Sequence, residues 1–415
     1  MLTRRSTFKA AAGIAAAATL GSERALAADK VLKIGLDSSF TGADAQASLR
    51  AMNGAILAFD EANKAHTVKG YTFAFDKLDD ATPTAGQYDP VQAANNARKM
   101  VGDKAYVAAV GPAMSGAGKA MSPILSQGNL ATITPSSTNP DITDPKFAAT
   151  YRPEGKAVYF RTVATDAFQG PNMANFMAKV LKIKSVFVLD DSGAYGVGLA
   201  DAFQAQAEKD GVKVLGRDRL DPKAADYSAI LTKIKSLNPD ALYYGGVAQA
   251  GVKLAKQGYD IIPKVIKAGG DGVQSVDFLK GAGFPAVEGW YATNASPHLD
   301  SRNTKFAAFQ KKFTDMFHDQ PDDYSVTAYV AGQIIVEAAR DVVASGKTPN
   351  RDNVRDGIQA VKLKDTLLGP VSFDANGDLN DKIISVFQIK KDDSKPLDDQ
   401  DSQYSYVGVA PMTMS

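Results

Sequence analysis

From Val31 onward, short apolar runs alternate with longer amphipathic stretches, and that alternation leaves few architectures open. "VLKIGLD", "YTFAFDKLDD" and "YVAAVGP" read as strands. Between them, "SLRAMNGAILAFDEANK" and "YDPVQAANNARKMVGDK" carry apolar residues every three or four positions, as helices covering a sheet do. The βαβ rhythm continues through "LATITPS" to "YFRTVATD", then starts afresh with a helix from Gly170 and the strands "SVFVLDD", "VKVLGRD" and "ALYYGGV". One sheet would hold too many strands, so the pattern predicts an α/β fold of two parallel-sheet lobes. Residues 303–317 and 324–345 read as two further helices, and "GPVSFDANGDLNDKIISVFQIKK" as a β-hairpin. The chain is expected to cross between lobes near Thr165, Thr293 and Leu368, a hinge that lets a cleft open and close without the lobes drifting apart. The expected division is 1–27 as a leader, 28–165 with 293–367 as the first lobe, 166–292 with 368–395 as the second, and 396–415 as a tail without helical periodicity.

The leader is read from "MLTRRSTFKAAAGIAAAATLGSERALAADK": a basic start, a weakly apolar run from Ala10 to Leu20, and small residues at Ala25 and Ala27. The run is far shorter than the roughly 20 residues needed to span a bilayer, so it predicts export rather than anchoring. The twin-arginine pattern is imperfect, with Thr7 and Phe8 where Phe and Leu are preferred, which leaves the general secretory route open. Cleavage after Ala27 removes Arg4, Arg5, Lys9 and Arg24 with Glu23, taking the formal charge from +1 to about −2. Nothing suggests a nucleic-acid partner. The chain has no cysteine, which excludes disulfides, thiolate chemistry and a lipidated-cysteine anchor. A soluble periplasmic monomer is expected.

Enzyme motifs are missing where they would be looked for. In "GPAMSGAGKA" a phosphate loop would need Ala113 to be glycine and Ala120 to be Ser or Thr. There is no HExxH, no GxSxG and no GxGxxG after the first strand, and His66, His298 and His318 lie far apart. In "DANGDLND", Gly377 falls two places too early for a calcium loop, so a polar turn is expected. No cofactor, metal or catalytic residue is predicted.

Ligands of open parallel sheets collect beyond the carboxyl ends of strands, where helix N-termini favour anions. Four loops have that placement. "GPAMSGAG" offers Ser115, and "TPSSTNPD" offers Ser136, Ser137 and Thr138, hydroxyl and amide donors suited to a carboxylate. "LDDSGAYGVG" offers Tyr195 and "AGGDG" offers Asp271, an acid suited to an ammonium. Each residue could equally be a helix cap. Together they would trap a zwitterion.

These loops resemble those of the periplasmic Leu/Ile/Val-binding protein family, the type I solute-binding proteins of branched-chain amino acid ABC transporters. The likeness spans nearly the whole mature chain: "IGLDSSFTG", "NGAILAFDEAN", Asp79 with Asp80, "TPSSTNPDIT", "FRTVATDAFQGP", "DDSGAYGVGLA" and "DALYYGG". The resemblance implies a type I periplasmic binding protein fold, two doubly wound lobes joined by a three-crossover hinge. It implies capture of an amino acid, branched-chain-type or bulkier, and delivery to a membrane ABC permease. The positions matching Ser115 and Thr138 hold the ligand carboxylate in that family, that matching Ser136 lends backbone, and that matching Asp271 holds the amine. Tyr195 matches a tyrosine lining the closed cleft. Two family tyrosines that contact ligand are replaced by Ala47 and Val247, and the acid is shortened from Glu to Asp, so the side-chain pocket is expected to be enlarged or reshaped. Another small carboxylate, such as an aromatic acid, is the alternative ligand. A ligand sensor of the same fold, or an exported enzyme, is the alternative role; a neighbouring permease operon would favour transport.

The mature chain is expected to begin at Ala28. N-terminal sequencing of periplasmic protein checks this, and recovery as an uncleaved membrane protein would overturn the leader.

Overall fold

A computed structural model describes residues 29–412 apart from 43, 300 and 301; the expected leader lies outside the described residues. The first half builds as the periodicity requires: β1 (Lys30–Ser38), α1 (Ala45–Lys64), β2 (Tyr71–Asp79), α2 (Pro90–Gly102), β3 (Tyr106–Val110), α3 (Ser115–Gln127), β4 (Thr132–Thr134), the short α4 (Ala148–Tyr151) and β5 (Tyr159–Arg161). The five strands pair in parallel in the order β2-β1-β3-β4-β5. β3 is buried along its whole length, which is why it reads as an unbroken apolar run.

The second half repeats the plan with α5 (Asp166–Lys179), β6 (Ser185–Asp190), α6 (Ala194–Lys209), β7 (Lys213–Arg219), α7 (Ser228–Leu237), β8 (Ala241–Gly245), α8 (Ala248–Ile261), β9 (Ile266–Gly269), α9 (Val276–Ala282) and β10 (Tyr291–Asn294). Its parallel strands run β7-β6-β8-β9-β10, the same winding order as the first sheet. The chain then returns to the first lobe as α10 (Thr304–Phe317), α11 (Asp323–Ala344), α12 (Arg351–Ala360), β11 (Lys362–Thr366) and β12 (Gly369–Ser372). It ends in the second sheet as β13 (Ser385–Ile389), the one-turn α13 (Gln400–Gln403) and β14 (Tyr404–Val409).

The two-lobe expectation holds, with three differences in detail. The expected hairpin over 369–391 survives only as a single antiparallel bridge, Phe373 to Leu379, around the polar turn: β12 pairs with β11, whereas β13 pairs with β10 and β14. The reason is burial. Leu368, Val371, Phe373 and Leu379 pack into the first core, where Phe373 meets Phe160 with ring centroids 5.0 Å apart, while Val386, Phe387 and Ile389 enter the second lobe. For the same reason the third crossing falls between Leu379 and Ile384 rather than near Leu368. The first two lie between Phe160 and Val163 and between Ala295 and Leu299, close to the expected places. Thirdly, the tail, whose packing against a lobe was left open, contributes a strand: β14 forms the edge of the second sheet. At the hinge the connections lie side by side, tied by Ala164 N–H to Ala295 O at 2.8 Å and Ser385 Oγ to Ser296 O at 2.8 Å. No helix among the described residues is long and apolar enough to cross a membrane.

The returning α11 packs parallel to α1, so both helices open at the same end of the first sheet. The close approach is made at Gly54, where a Cβ would lie 2.0 Å from the Ser325 carbonyl oxygen. Gly54→Ala therefore forces two backbones apart and is expected to cost about 1–3 kcal/mol of stability. An unchanged urea midpoint in the variant would show that the pair has room to spare.

Candidate functional site

Both sheets have the winding order in which neighbouring connections leave on opposite faces, at β1/β3 in the first and β6/β8 in the second. The loops after those four strands supply Asp44, Met114, Tyr195 and Val247, and all four line one cavity of about 100 Å³ between the lobes. Ala47, Ser48 and Ala51 of α1, Ala113, Ser115, Ser136, Ala248, Asp271, Gly272, Ser275, Asp277 and Tyr324 complete the wall. The lobes are closed over it: Asn139 Nδ2 donates to Ala194 O at 2.8 Å and Gln274 Nε2 to Asp323 Oδ2 at 2.8 Å, each from one lobe to the other.

Asp271 is the best-defined polar group. It is only 4% exposed and follows β9 in a short 3-10 turn, where its side chain caps no backbone. Oδ1 accepts from the Tyr195 hydroxyl at 2.6 Å and from Gln169 Nε2 at 2.9 Å, and Oδ2 accepts from the Tyr324 hydroxyl of the opposite lobe. Asp271 itself lines the cavity. Burial pushes the Asp271 carboxyl up, and the hydrogen bonds from Tyr195, Tyr324 and Gln169 pull it back. Burial and the neighbouring Asp271 raise both phenols well above their ordinary range, which keeps them protonated as donors.

Gln169, near the start of α5, ties this group to the hinge. Its Oε1 accepts from Asp271 N at 3.0 Å and from Thr293 Oγ1 at 2.8 Å, and its amide also donates to Asp166 Oδ1 at 3.0 Å. Asp166 is fully buried, and burial followed by the charge of Asp271 pushes its carboxyl up to about 8. Two acids thus share one amide, and burial pushes both carboxyls up.

On the first lobe, Ser115 opens α3 and is buried; its Oγ accepts from Asn139 N at 3.2 Å and Ser137 Oγ at 3.4 Å, leaving its hydrogen to donate. Ser136 lines the cavity, but its hydroxyl is spent on Ala113 O at 3.0 Å. Ser137 and Thr138 are buried behind the wall rather than in it. Their loop is held from beneath by Arg161, which is fully buried and donates to Ser137 O at 2.6 Å, Asn139 O at 2.8 Å and Asp378 Oδ1 at 2.8 Å. Ala47 and Val247 both line the cavity. Tyr324 lines it with them.

The sequence reading did not single out Tyr324, Gln169, Arg161, Asp44 or Asp277. Tyr324 had a usable signal, since it stands beside the capping acid Asp322 at a helix start. Among the described residues no cluster of three or more His, Cys, Asp or Glu side chains suits a metal ion.

A family model described as periplasmic binding protein matches residues 31–395. The chain belongs to the periplasmic binding protein family. It is 31% identical over 357 residues to the Leu/Ile/Val-binding protein BraC3 of Rhizobium johnstonii, covering 86% of this chain and 91% of that one. Among solved structures it is similar to a leucine binding protein of Thermotoga maritima, with a TM-score of 0.77 at 24% identity over 91% of this chain and 98% of that one. An R. palustris ABC transporter solute binding protein in complex with benzoate gives a TM-score of 0.74 at 20% identity, over 93% and 98%. These structural likenesses fix the fold of this periplasmic binding protein as two hinged lobes.

The Asp166 shift has a definite sign. The folded state keeps this proton up to about pH 8, whereas an unfolded Asp releases it near pH 4. The stability that Asp166 contributes is therefore complete below about pH 4 and is lost as pH rises towards 8. Asp166→Asn is expected to flatten the fall in urea stability between those limits. A variant with the wild-type slope would show that Asp166 is not the proton carrier.

Proposed function

We propose that this periplasmic binding protein captures an α-amino acid of the branched-chain type between its lobes and delivers it to an ABC transporter permease. The observation that carries the reading is Asp271, a buried carboxylate in the cavity wall held by three protein donors, none of them a cation. An α-ammonium would supply the missing positive charge. Opposite it, the Ser115 hydroxyl and the N-terminus of the 13-residue α3 offer donors and a favourable dipole for the α-carboxylate. Ala47, Ala51, Met114, Val247 and Ala248 supply an apolar wall for an aliphatic stem.

Charge bears on the choice of ligand. The acids in the wall are Asp44, Asp271 and Asp277, with no Lys, Arg or His among the described lining residues. A benzoate-like anion would meet like charges there, whereas a zwitterion brings its own cation. The name of the Rhizobium relative, a Leu/Ile/Val-binding protein, supports the same class. The reading needs no cofactor and no chemical step, and it takes the protein as an exported monomer without an anchor.

Calorimetry with leucine, isoleucine, valine and benzoate tests the class. Asp271→Asn keeps an acceptor but removes the charge opposite the ammonium. Breaking one side of a buried charge pair costs on the order of 3–5 kcal/mol, so amino-acid affinity is expected to fall at least about a hundredfold. Near-normal affinity in that variant, or binding of benzoate alone, would sink the zwitterion reading.

A further inference from the structure

The polar turn over 374–381, which ligand capture leaves without a role, is docked beneath the 137–139 loop. Its Asp378 Oδ1 accepts from Arg161 Nε at 2.8 Å, and Oδ2 accepts from Thr143 Oγ1 at 2.9 Å. Thr143 Oγ1 accepts in turn from Arg161 Nη2 at 2.9 Å. The backbones are tied as well, by Arg161 N–H to Gly377 O at 3.2 Å. Arg161 ends β5 at the start of the first crossing, and Asp378 directly precedes the third, so the ion pair fastens two hinge connections together on the first-lobe side. From there the guanidinium reaches the site. Nη1 donates to Ser137 O at 2.6 Å and Nη2 to Asn139 O at 2.8 Å. Those two residues donate to Ser115 Oγ, Asn139 through its N–H at 3.2 Å and Ser137 through its hydroxyl at 3.4 Å. The Ser115 hydrogen is then the one left to donate. Asn139 also crosses the cleft to Ala194 O at 2.8 Å.

We propose that Arg161, anchored by Asp378 and Thr143, is a positioning residue for the ligand's carboxylate: by fixing the 137–139 loop it presets the Ser115 hydroxyl as a donor, and so sets the preference for an α-carboxylate over an uncharged amide. The inference rests on amino-acid capture with the carboxylate at Ser115, and adds the residue that governs selectivity at that end. Arg161 is fully buried and does not line the cavity, so it acts from behind the loop. A hydroxyl can serve an anion or a neutral carbonyl, but a charge-assisted hydrogen bond is the stronger of the two and loses more when its donor is turned away. The positive charge behind the loop works in the same direction. Lysine would keep that charge, yet it has no planar fork with which to hold two carbonyls and a carboxylate at once.

Calorimetry on the mature protein with leucine and leucinamide, at a pH where both amines are protonated, reads this directly. The two share ammonium and side chain and differ only at the carboxylate, and the wild-type protein is expected to prefer leucine. Arg161→Lys is expected to weaken leucine about tenfold or more while leucinamide changes by less than about threefold, so that the preference narrows. A merely structural role would lower the urea midpoint and leave the ratio of the two affinities unchanged, and that result would overturn the inference. Thr143→Val removes one tie to Arg161 without altering charge, and is expected to narrow the same ratio by a smaller factor. If Arg161→Lys does not fold, an unchanged ratio in Thr143→Val overturns the inference in its place. Equal binding of leucine and leucinamide by the wild-type protein would also overturn it, and would leave the ammonium site at Asp271 standing. Failure of leucine, isoleucine and valine to bind would overturn capture itself and this inference with it.

Discussion

A carboxylate buried where two lobes meet has to be satisfied from both of them, and much of this site follows from that requirement. Asp271 takes Tyr195 and Gln169 from its own lobe and Tyr324 from the other. The Tyr324 bond exists only when the lobes are together, so the acid proposed to hold the ligand's ammonium also fastens the closed arrangement. Gln169 carries the coupling further, because its carbonyl oxygen holds Asp271 N and the hinge residue Thr293. Opening the cleft would therefore disturb the same hydrogen-bond group that defines the acceptor.

The repeated winding order explains why the functional loops converge. Each sheet places its switch point between its first and third parallel strands, and the lobes face each other across those points. Lone residues such as Ser115 and Tyr195 then meet although 80 positions separate them in sequence. The first-lobe loop needs a fixed shape to present donors, and Arg161 provides it. A fully buried guanidinium is tolerable because its donors go to two loop carbonyls, to Thr143 and to Asp378.

The parallel strands and covering helices were legible because their periodicities are local, and Ser115, Tyr195 and Asp271 were legible because each follows a strand end. Val386 and Val371 look alike in sequence yet go to different cores, so which lobe received β12 and β13 depended on long-range packing. β14 was missed for a related reason: its Tyr406, Val407 and Val409 are exposed on an edge strand, which blurs the half-buried alternation expected of a strand. Gln169 and Tyr324 sit in helices whose apolar faces explained them well enough. Only their contact with Asp271, 102 and 53 positions away respectively, gives them a second role.

Ligand and closure are linked through charge. In an open cleft, Asp44, Asp271 and Asp277 would sit apart in water, where their repulsion is weak. Closing gathers Asp271 and Asp44 into a buried cavity and raises both carboxyls, so closure alone works against solvation and like-charge repulsion. The inter-lobe bonds of Tyr324, Asn139 and Gln274 oppose that penalty. A ligand shifts the balance only by binding the closed form more tightly than the open one. An ammonium held at Asp271, as proposed, would do so because it meets the carboxylate desolvated in the closed cavity and hydrated in the open cleft, so that its attraction grows as water leaves. On that reading Asp271, which Tyr324 ties to the closed arrangement, is also the group that would make ligand-driven closure selective for a cation-bearing molecule.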